Sequence, residues 1–258
     1  MKYPKETEIG LEKIEDVTST NDYLSQLCKN NETKEFYTVW AEHQTAGRGQ
    51  RGNSWESEPG KNLTFSMVLY PTVLKARQQF YLSMLVSTAV VYALNNYTKG
   101  FSIKWPNDIY WNDKKIAGIL IENELEGNYV MQSIVGIGLN VNQELFHSSI
   151  PNPISLKQIL GVEIDRKELF EKLLNTIIGG YLGLEEHSEK IMPSINRQFL
   201  KSLYRKNGYH LYRDAQGIFS AQYEDMDTDG HLYLRDEQGK IRRYAFKEVE
   251  YILDEPHE

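Results

Sequence analysis

The stretch AGRGQRGNSW, Ala46 to Trp55, decides between two folds. Gly47, Gly49 and Gly52 spell G-x-G-x-x-G, the dinucleotide fingerprint, which requires a strand before it and a helix opening directly after it. FYTVWAEH, residues 36–43, supplies the strand. The flank Ser57-Glu58-Pro59-Gly60 is turn chemistry and denies the helix, so the Rossmann reading is set aside. What remains is pliable backbone carrying Arg48 and Arg51 in a chain of formal net charge -7. Glycine lets successive N–H groups converge on an anion, and guanidinium offers planar, permanently charged donors suited to phosphate. The alternative is a mobile surface loop.

The surroundings are those of a water-soluble protein. At 258 residues, 40% hydrophobic and 25% charged, the chain has room for one large domain or a main domain with an appendage. It carries no apolar run long enough for a bilayer, and MKYPKETEIG lacks a signal core, so neither membrane nor secretion is expected. The single cysteine, Cys28, rules out an internal disulfide and suits the reducing cytoplasm. The acidic balance argues against nucleic acid as a general partner.

Periodicity gives a mixed α/β pattern. Ser19-Thr20-Asn21 offers N-caps for a helix through Tyr23, Leu24 and Leu27. FYTVWAEH and NLTFSMVLYP read as strands, the second with Leu63, Phe65, Met67 and Leu69 on one face. From Lys75 to about Tyr97 the pattern is helical, with Phe80, Met84, Ala89 and Val90 available for burial. FSIKWPNDIYWNDKKIAGILIE reads as strand, turn, short strand, a turn at Asn112-Asp113, and an apolar strand. Asp165 with Glu168 forms a capping box ahead of an amphipathic helix, and a second helix is expected from Pro193 to about Tyr204. After Asn207-Gly208 the chain turns to short alternating segments, five strands suited to a small barrel. The division expected is 1–206 for a catalytic domain and 207–258 for the barrel.

In IVGIGLNVN, Val135, Ile137, Leu139 and Val141 fall on one strand face, and Gly136, Gly138, Asn140 and Asn142 on the other. Two glycines on one face mean close approach, either by a packed helix or by a flat ligand read by Asn140. Asp225, Asp227, Asp229 and Gly230 resemble the opening of a calcium loop, but strand-like flanks favour a hairpin turn. KWPND, Lys104 to Asp108, with Lys115 nearby, sets a carboxylate among cations, where it can orient a lysine or help hold magnesium.

These motifs together resemble the biotin protein ligases over nearly the whole chain. The family's G-R-G-x-x-G-x-x-W loop stands at Gly47 to Trp55, K-W-P-N-D at Lys104 to Asp108, and K-[LI]-A-G-I-L-x-E at Lys115 to Glu122. S-T-N stands at Ser19 to Asn21 and G-x-G-x-N at Gly136 to Asn140. The resemblance implies a mixed sheet flanked by helices, of the class II aminoacyl-tRNA synthetase and biotin ligase type, followed by an SH3-like barrel. It implies a biotinyl-5′-AMP intermediate made from biotin and ATP with Mg2+, and transfer to a lysine of a biotin carboxyl carrier protein. Catalysis would fall to Lys115, Arg48 and Asp108, the last a possible magnesium contact. Biotin would meet Ser19, Thr20, Asn21, Gln44, Arg48, Gly49, Gln50, Lys115 and Gly118. The nucleotide would meet Arg48, Arg51, Trp55, Lys104, Asn107 and Asn140.

Gln50 and Asn53 stand where many relatives have arginine, which points to weaker retention of the adenylate and some indiscriminate labelling. Ile252 replaces a common arginine in the barrel, which puts a barrel contribution to ATP binding in doubt. About eighteen residues precede Ser19, too few for the DNA-binding unit of some relatives, so no operator binding is expected. A monomer or weak homodimer fits the sequence. The rival readings are a lipoate or octanoate ligase and a non-catalytic sensor of the adenylate.

Overall fold

The glycine-bearing strand becomes the middle of a seven-stranded sheet. The computed structural model describes residues 9–30, 32–147 and 152–253, with the Arg51 side chain outside that set. In chain order the strands are β1 (Leu11–Val17), β2 (Thr38–Gln44), β3 (Leu63–Leu69), β4 (Phe101–Lys104), β5 (Asp108–Trp111), β6 (Lys114–Glu126) and β7 (Tyr129–Leu139). Across the sheet they run β1-β2-β3-β7-β6-β5-β4. The β1–β2 pair is parallel and every other pair is antiparallel.

Each face of β7 is covered differently, as its alternation requires. Val135, Ile137 and Leu139, with Leu63, Phe65, Met67 and Leu69 of β3, join the main core beneath α2 (Phe80–Leu94) and α4 (Arg166–Lys201). α2 is apolar almost all round, and it buries Phe80, Met84, Ala89 and Val90. On the other face α1 (Thr20–Lys29) sets Leu24 and Cys28 against Val39, Val68 and Ile134. That cover reaches Gly136 through Asn21 in the first turn of α1; Gly138 is met by Trp55 instead, and both glycines line a cleft.

α3 (Leu156–Leu160) precedes α4, whose first turn is capped by Asp165, its Oδ1 accepting from the N–H of Lys167 and Glu168 at 2.8 and 3.1 Å. α4 is interrupted at His187 (φ -141). The second helix therefore begins well before Pro193, which lies inside it, and ends at Lys201 rather than near Tyr204.

The five expected C-terminal strands are present: β8 (His210–Asp214), β9 (Gly217–Met226), β10 (Leu232–Asp236), β11 (Ile241–Tyr244) and β12 (Glu250–Tyr251). They form an antiparallel sheet in the order β11-β10-β9-β8-β12. The Asp227–Gly230 segment is the β9–β10 turn, with Asp227 Oδ1 accepting from the N–H of Asp229 and His231 at 3.1 and 2.9 Å. Tyr212, Leu232, Leu234 and Tyr251 join the same hydrophobic cluster as the large sheet. Trp105 Nε1 donates to Gly230 O at 2.8 Å, so the K-W-P-N-D turn is also fastened to this unit.

Candidate active site

The floor of the cleft comes from strand register. β6 and β7 pair Gly118 with Gly138 and Leu120 with Gly136, so three of these four floor positions are glycine. The Asn21 amide lies over Gly136, and the Trp55 indole lies over Gly118 and Gly138; a methyl group at Gly136 or Gly138 would overlap these neighbours. The close approach anticipated from the sequence is thus made in this structure by the first turn of α1, through Asn21 at Gly136, and by a ring of the glycine loop at Gly118 and Gly138.

A β-bulge delivers the lysine. β5 pairs Ile109 with Ala117 and then Tyr110 with Lys115, so Ile116 is an extra residue in β6. Residues three apart on an unbroken strand face opposite ways. The bulge reverses this, and Lys115, Gly118 and Asp108 line one cleft. Lys115 Nζ lies 2.8 Å from Asp108 Oδ1, with the side chains 20% and 25% exposed. The same ammonium stands 5.8 Å from the centroid of the Trp55 ring. Asn107 donates through Nδ2 to Ile119 O and holds the K-W-P-N-D turn against β6.

The glycine loop is a small hairpin leaning over this floor. Arg48 bridges to Ser54, Gly49 N–H donates to Asn53 O at 2.7 Å, and Trp55 N–H donates to Gly47 O at 2.8 Å. Its tip is a short 3₁₀ turn, Gln50–Gly52, where Gly52 takes φ +86, a left-handed conformation natural to glycine. The N–H groups of Gly49 and Trp55 are spent within the hairpin, so neither is directed at an anion. Arg48 Nη2 reaches across to Glu122, 3.0 and 2.7 Å from its two oxygens, and lies 2.7 Å from Asp22 Oδ1.

At the far end of the cleft the polar groups are uncharged and nearly dry. Ser19 caps α1, accepting from Asp22 N–H, and Ser19, Thr20 and Asn21 are all buried. Thr20 donates to Gln44 Oε1 from its N–H at 2.8 Å and from Oγ1 at 3.1 Å. Ser66 Oγ lies 2.7 Å from Thr20 Oγ1 and 2.6 Å from Asn21 Oδ1, and Asn21 Nδ2 donates to Glu122 Oε2 at 2.7 Å. Satisfied buried groups of this kind hold a fixed geometry, because leaving any one unpaired costs about 1–3 kcal/mol.

Most of the expected residues converge. Ser19, Thr20, Asn21, Gln44, Arg48, Gly49, Gln50, Trp55, Asn107, Asp108, Lys115 and Gly118 line one cleft. Lys104 and Asn140 do not. β7 ends at Leu139, and Asn140 turns away from the floor to donate to Ile154 O at 3.1 Å, leaving its Oδ1 buried without a partner. Lys104 lies one strand beyond Asp108 in the same row, donates to Tyr110 OH at 3.0 Å, and stands 5.2 Å from the Tyr251 ring of the C-terminal sheet. Burial pulls its ammonium below the ordinary lysine range, against the opposing pull of Asp108. Arg51 was expected at the nucleotide, and its side chain lies outside the described residues.

Four contributors were missed. Glu122 and Asp22 bind the flap arginine, Ser66 joins Thr20 to Asn21, and Phe246 brings the C-terminal unit to the cleft wall. Glu122 was visible as the last letter of its motif, where an unpaired acid near a cationic loop is the available signal. Ile252, in contrast, serves the inter-unit connection, its carbonyl accepting from Arg205 Nη1 at 2.8 Å.

The arrangement suits a ligand with a neutral polar head and an anionic tail, reaching from the buried groups of Ser19, Thr20 and Gln44 to the cations Arg48 and Lys115. Known proteins agree. Residues 14–140 match the model of the biotin/lipoate A/B protein ligase family. The bifunctional ligase/repressor BirA of Bacillus subtilis is 36% identical over 239 residues, covering 89% of this chain and 71% of that protein. The biotin–[acetyl-CoA-carboxylase] ligase of Paracoccus denitrificans is 27% identical, covering 78% of this chain and 85% of that protein. Among solved structures, the biotin protein ligase of Aquifex aeolicus in complex with biotin and ATP superposes with a TM-score of 0.77 at 27% identity, covering 94% of this chain and 99% of the other. The chain belongs to the biotin/lipoate A/B protein ligase family, and within it stands with the biotin protein ligases.

Proposed function

We propose that this enzyme activates biotin with ATP and attaches it to a lysine of a biotin carboxyl carrier protein. The observation that carries the reading is the polarity of the cleft, with neutral hydrogen-bonding groups at Ser19, Thr20 and Gln44 and cations at Lys115 and Arg48, joined by a glycine floor. A ureido ring suits the first end and a carboxylate meeting phosphate suits the second. The solved Aquifex aeolicus relative is a complex with biotin and ATP.

In the first step a biotin carboxylate oxygen bonds to the α-phosphorus of ATP as the bond to pyrophosphate breaks. Lys115, aligned by Asp108, offsets the like charges that must meet, and Arg48 answers the phosphate charge that grows in the transition state. Holding both reactants aligned lowers the barrier by several kcal/mol, on the order of 7 in favourable cases. In the second step the acceptor amine bonds to the acyl carbon, the acyl–oxygen bond breaks, and AMP leaves. Water would hydrolyse the mixed anhydride, and the flap with Trp55 excludes it. Lys104 and Asn140 would have to leave Tyr110 and Ile154 to touch the nucleotide.

Asp108 is the one carboxylate among the described lining residues, and Lys115 engages one of its oxygens. That donor set fits a Mg2+ ion held chiefly by phosphate oxygens and water with one carboxylate ligand, the usual habit of this ion. When bound, the ion neutralises phosphate charge.

The test is pyrophosphate release with ATP and biotin, followed by label transfer to a purified carrier domain. Release that depends on biotin and not on lipoate is expected. Release with lipoate alone would move the chain to the other branch of its family, and no release with either would leave it a binding protein.

A further inference from the structure

We propose that Glu122 is a positioning residue that couples the ring end of the cleft to the flap, by holding Arg48 with Asp22 until an anion displaces them. The inference rests on the proposed function and deepens it.

One carboxylate serves both halves of the site. Glu122 Oε2 accepts from Asn21 Nδ2 at 2.7 Å, and both Glu122 oxygens lie within 3.0 Å of Arg48 Nη2. Asp22, one residue along α1, adds a second carboxylate at 2.7 Å from the same nitrogen. Asn21 in turn leads through Ser66 and Thr20 to Gln44. A continuous chain of hydrogen bonds therefore runs from the ring pocket to the guanidinium of the flap, and Glu122 is its joint.

The contacts are charged, and the three side chains are 40–46% exposed, so the tie is weak enough to exchange. Guanidinium binds carboxylate and phosphate by the same planar donors, which makes the two acids stand-ins for a phosphate at the flap. Two consequences follow. In the absence of substrates the flap is held down by Arg48. When a phosphate takes the guanidinium, Glu122 keeps its bond to Asn21, so ring recognition outlasts the exchange.

Glu122→Gln removes the charge and keeps the shape. With no substrate present, tryptic cleavage after Arg48, read from fragment masses, should quicken about 3- to 10-fold in the variant, a range set by exposed ion pairs. Wild-type cleavage should rise with salt, and the variant's should rise less, since only the Asp22 contact is left for salt to screen. In pyrophosphate release, KM for biotin should rise several-fold while kcat changes less than about twofold. Asp22→Asn, on an exposed helix position, should shift cleavage in the same direction by less, and it carries the test if Glu122→Gln does not fold. Equal cleavage in wild type and both variants, or a fall in kcat at unchanged KM, would overturn the proposal. The cleavage arm uses no substrate, so a wild type that releases no pyrophosphate with biotin ends the functional reading while the flap result stands apart from it.

Discussion

The floor and the flap of this cleft carry adjoining parts of one site on opposite physical foundations. The floor is backbone pinned by strand pairing, with Gly118 opposite Gly138 and a dry core behind Val135 and Ile137. The flap is a hairpin of ten residues fastened by its own few backbone bonds and by Arg48 to two exposed acids. A change in the floor acts through steric overlap, and a change in the flap acts through charge. The lesson is that the rigid half sets what fits, and the yielding half sets how long it stays.

The largest effect is expected where the halves meet. Lys115 stands on the floor strand beneath the flap ring, so Lys115→Ala should lower kcat for pyrophosphate release about 100- to 1,000-fold. Biotin affinity, read by titration calorimetry, should change far less, because the ring end is untouched. Equal activity in the two proteins would remove Lys115 from the mechanism and dissolve the distinction at its centre.

Next come paired glycine substitutions that pit one half against the other. At Gly138 a methyl group has no room beside the Trp55 indole, while at Gly52 it meets nothing within 4 Å. Gly138→Ala should raise KM for biotin by about tenfold and cost about 1–3 kcal/mol of stability. Gly52→Ala should cost only the left-handed backbone, about 1–2 kcal/mol, with KM nearly unchanged. Thermal unfolding and initial rates distinguish them, and a reversed ranking in KM would show that the flap tip, not the floor, shapes the pocket.

A smaller effect concerns retention. Gln50 lines the cleft where a cation would be free to meet phosphate. Gln50→Arg should reduce labelling of an unrelated protein by a few-fold, in line with one added charged hydrogen bond. Wild-type labelling no greater than the uncatalysed background would show that the flap already retains its adenylate.

The smallest concerns pH, away from both halves. Burial holds the phenols of Tyr110, Tyr204 and Tyr251 above their ordinary value of 10.0, and raises Tyr212 to about 12. These folded-state values exceed the unfolded one, so their contribution is complete below pH 10 and is lost as pH rises toward the folded values. The unfolding midpoint should therefore fall between pH 10 and pH 12, and Tyr212→Phe should flatten that fall. An unchanged slope would mean that the junction with the C-terminal sheet does not govern alkaline stability.

How much of this could be read beforehand follows the same division. Alternation in IVGIGLNVN exposed the glycine face, because period two belongs to any strand. The five C-terminal strands were legible from their turn residues for a similar reason. The bulge at Ile116 was not, since register depends on the partner strand, and so the physical route by which Lys115 joins Gly118 stayed hidden. Asn140 was assigned to the glycine face by extending the alternation one residue past the end of β7. The glycines of the flap suggested converging N–H groups, but those of Gly49 and Trp55 are taken by Asn53 and Gly47 across the hairpin, a pairing that their own spacing did not announce. Ser66 and Glu122 gave little sign of their place because their partners lie 45 and 74 positions away in the chain.

Amide hydrogen exchange across residues 46–55 tests the central claim most directly, with residues 134–139 of the floor as the internal reference. Adding biotin and ATP should slow exchange in the flap by about tenfold or more while the floor, already protected, changes little. Adenylate formation accompanied by unchanged exchange in the flap would contradict the account.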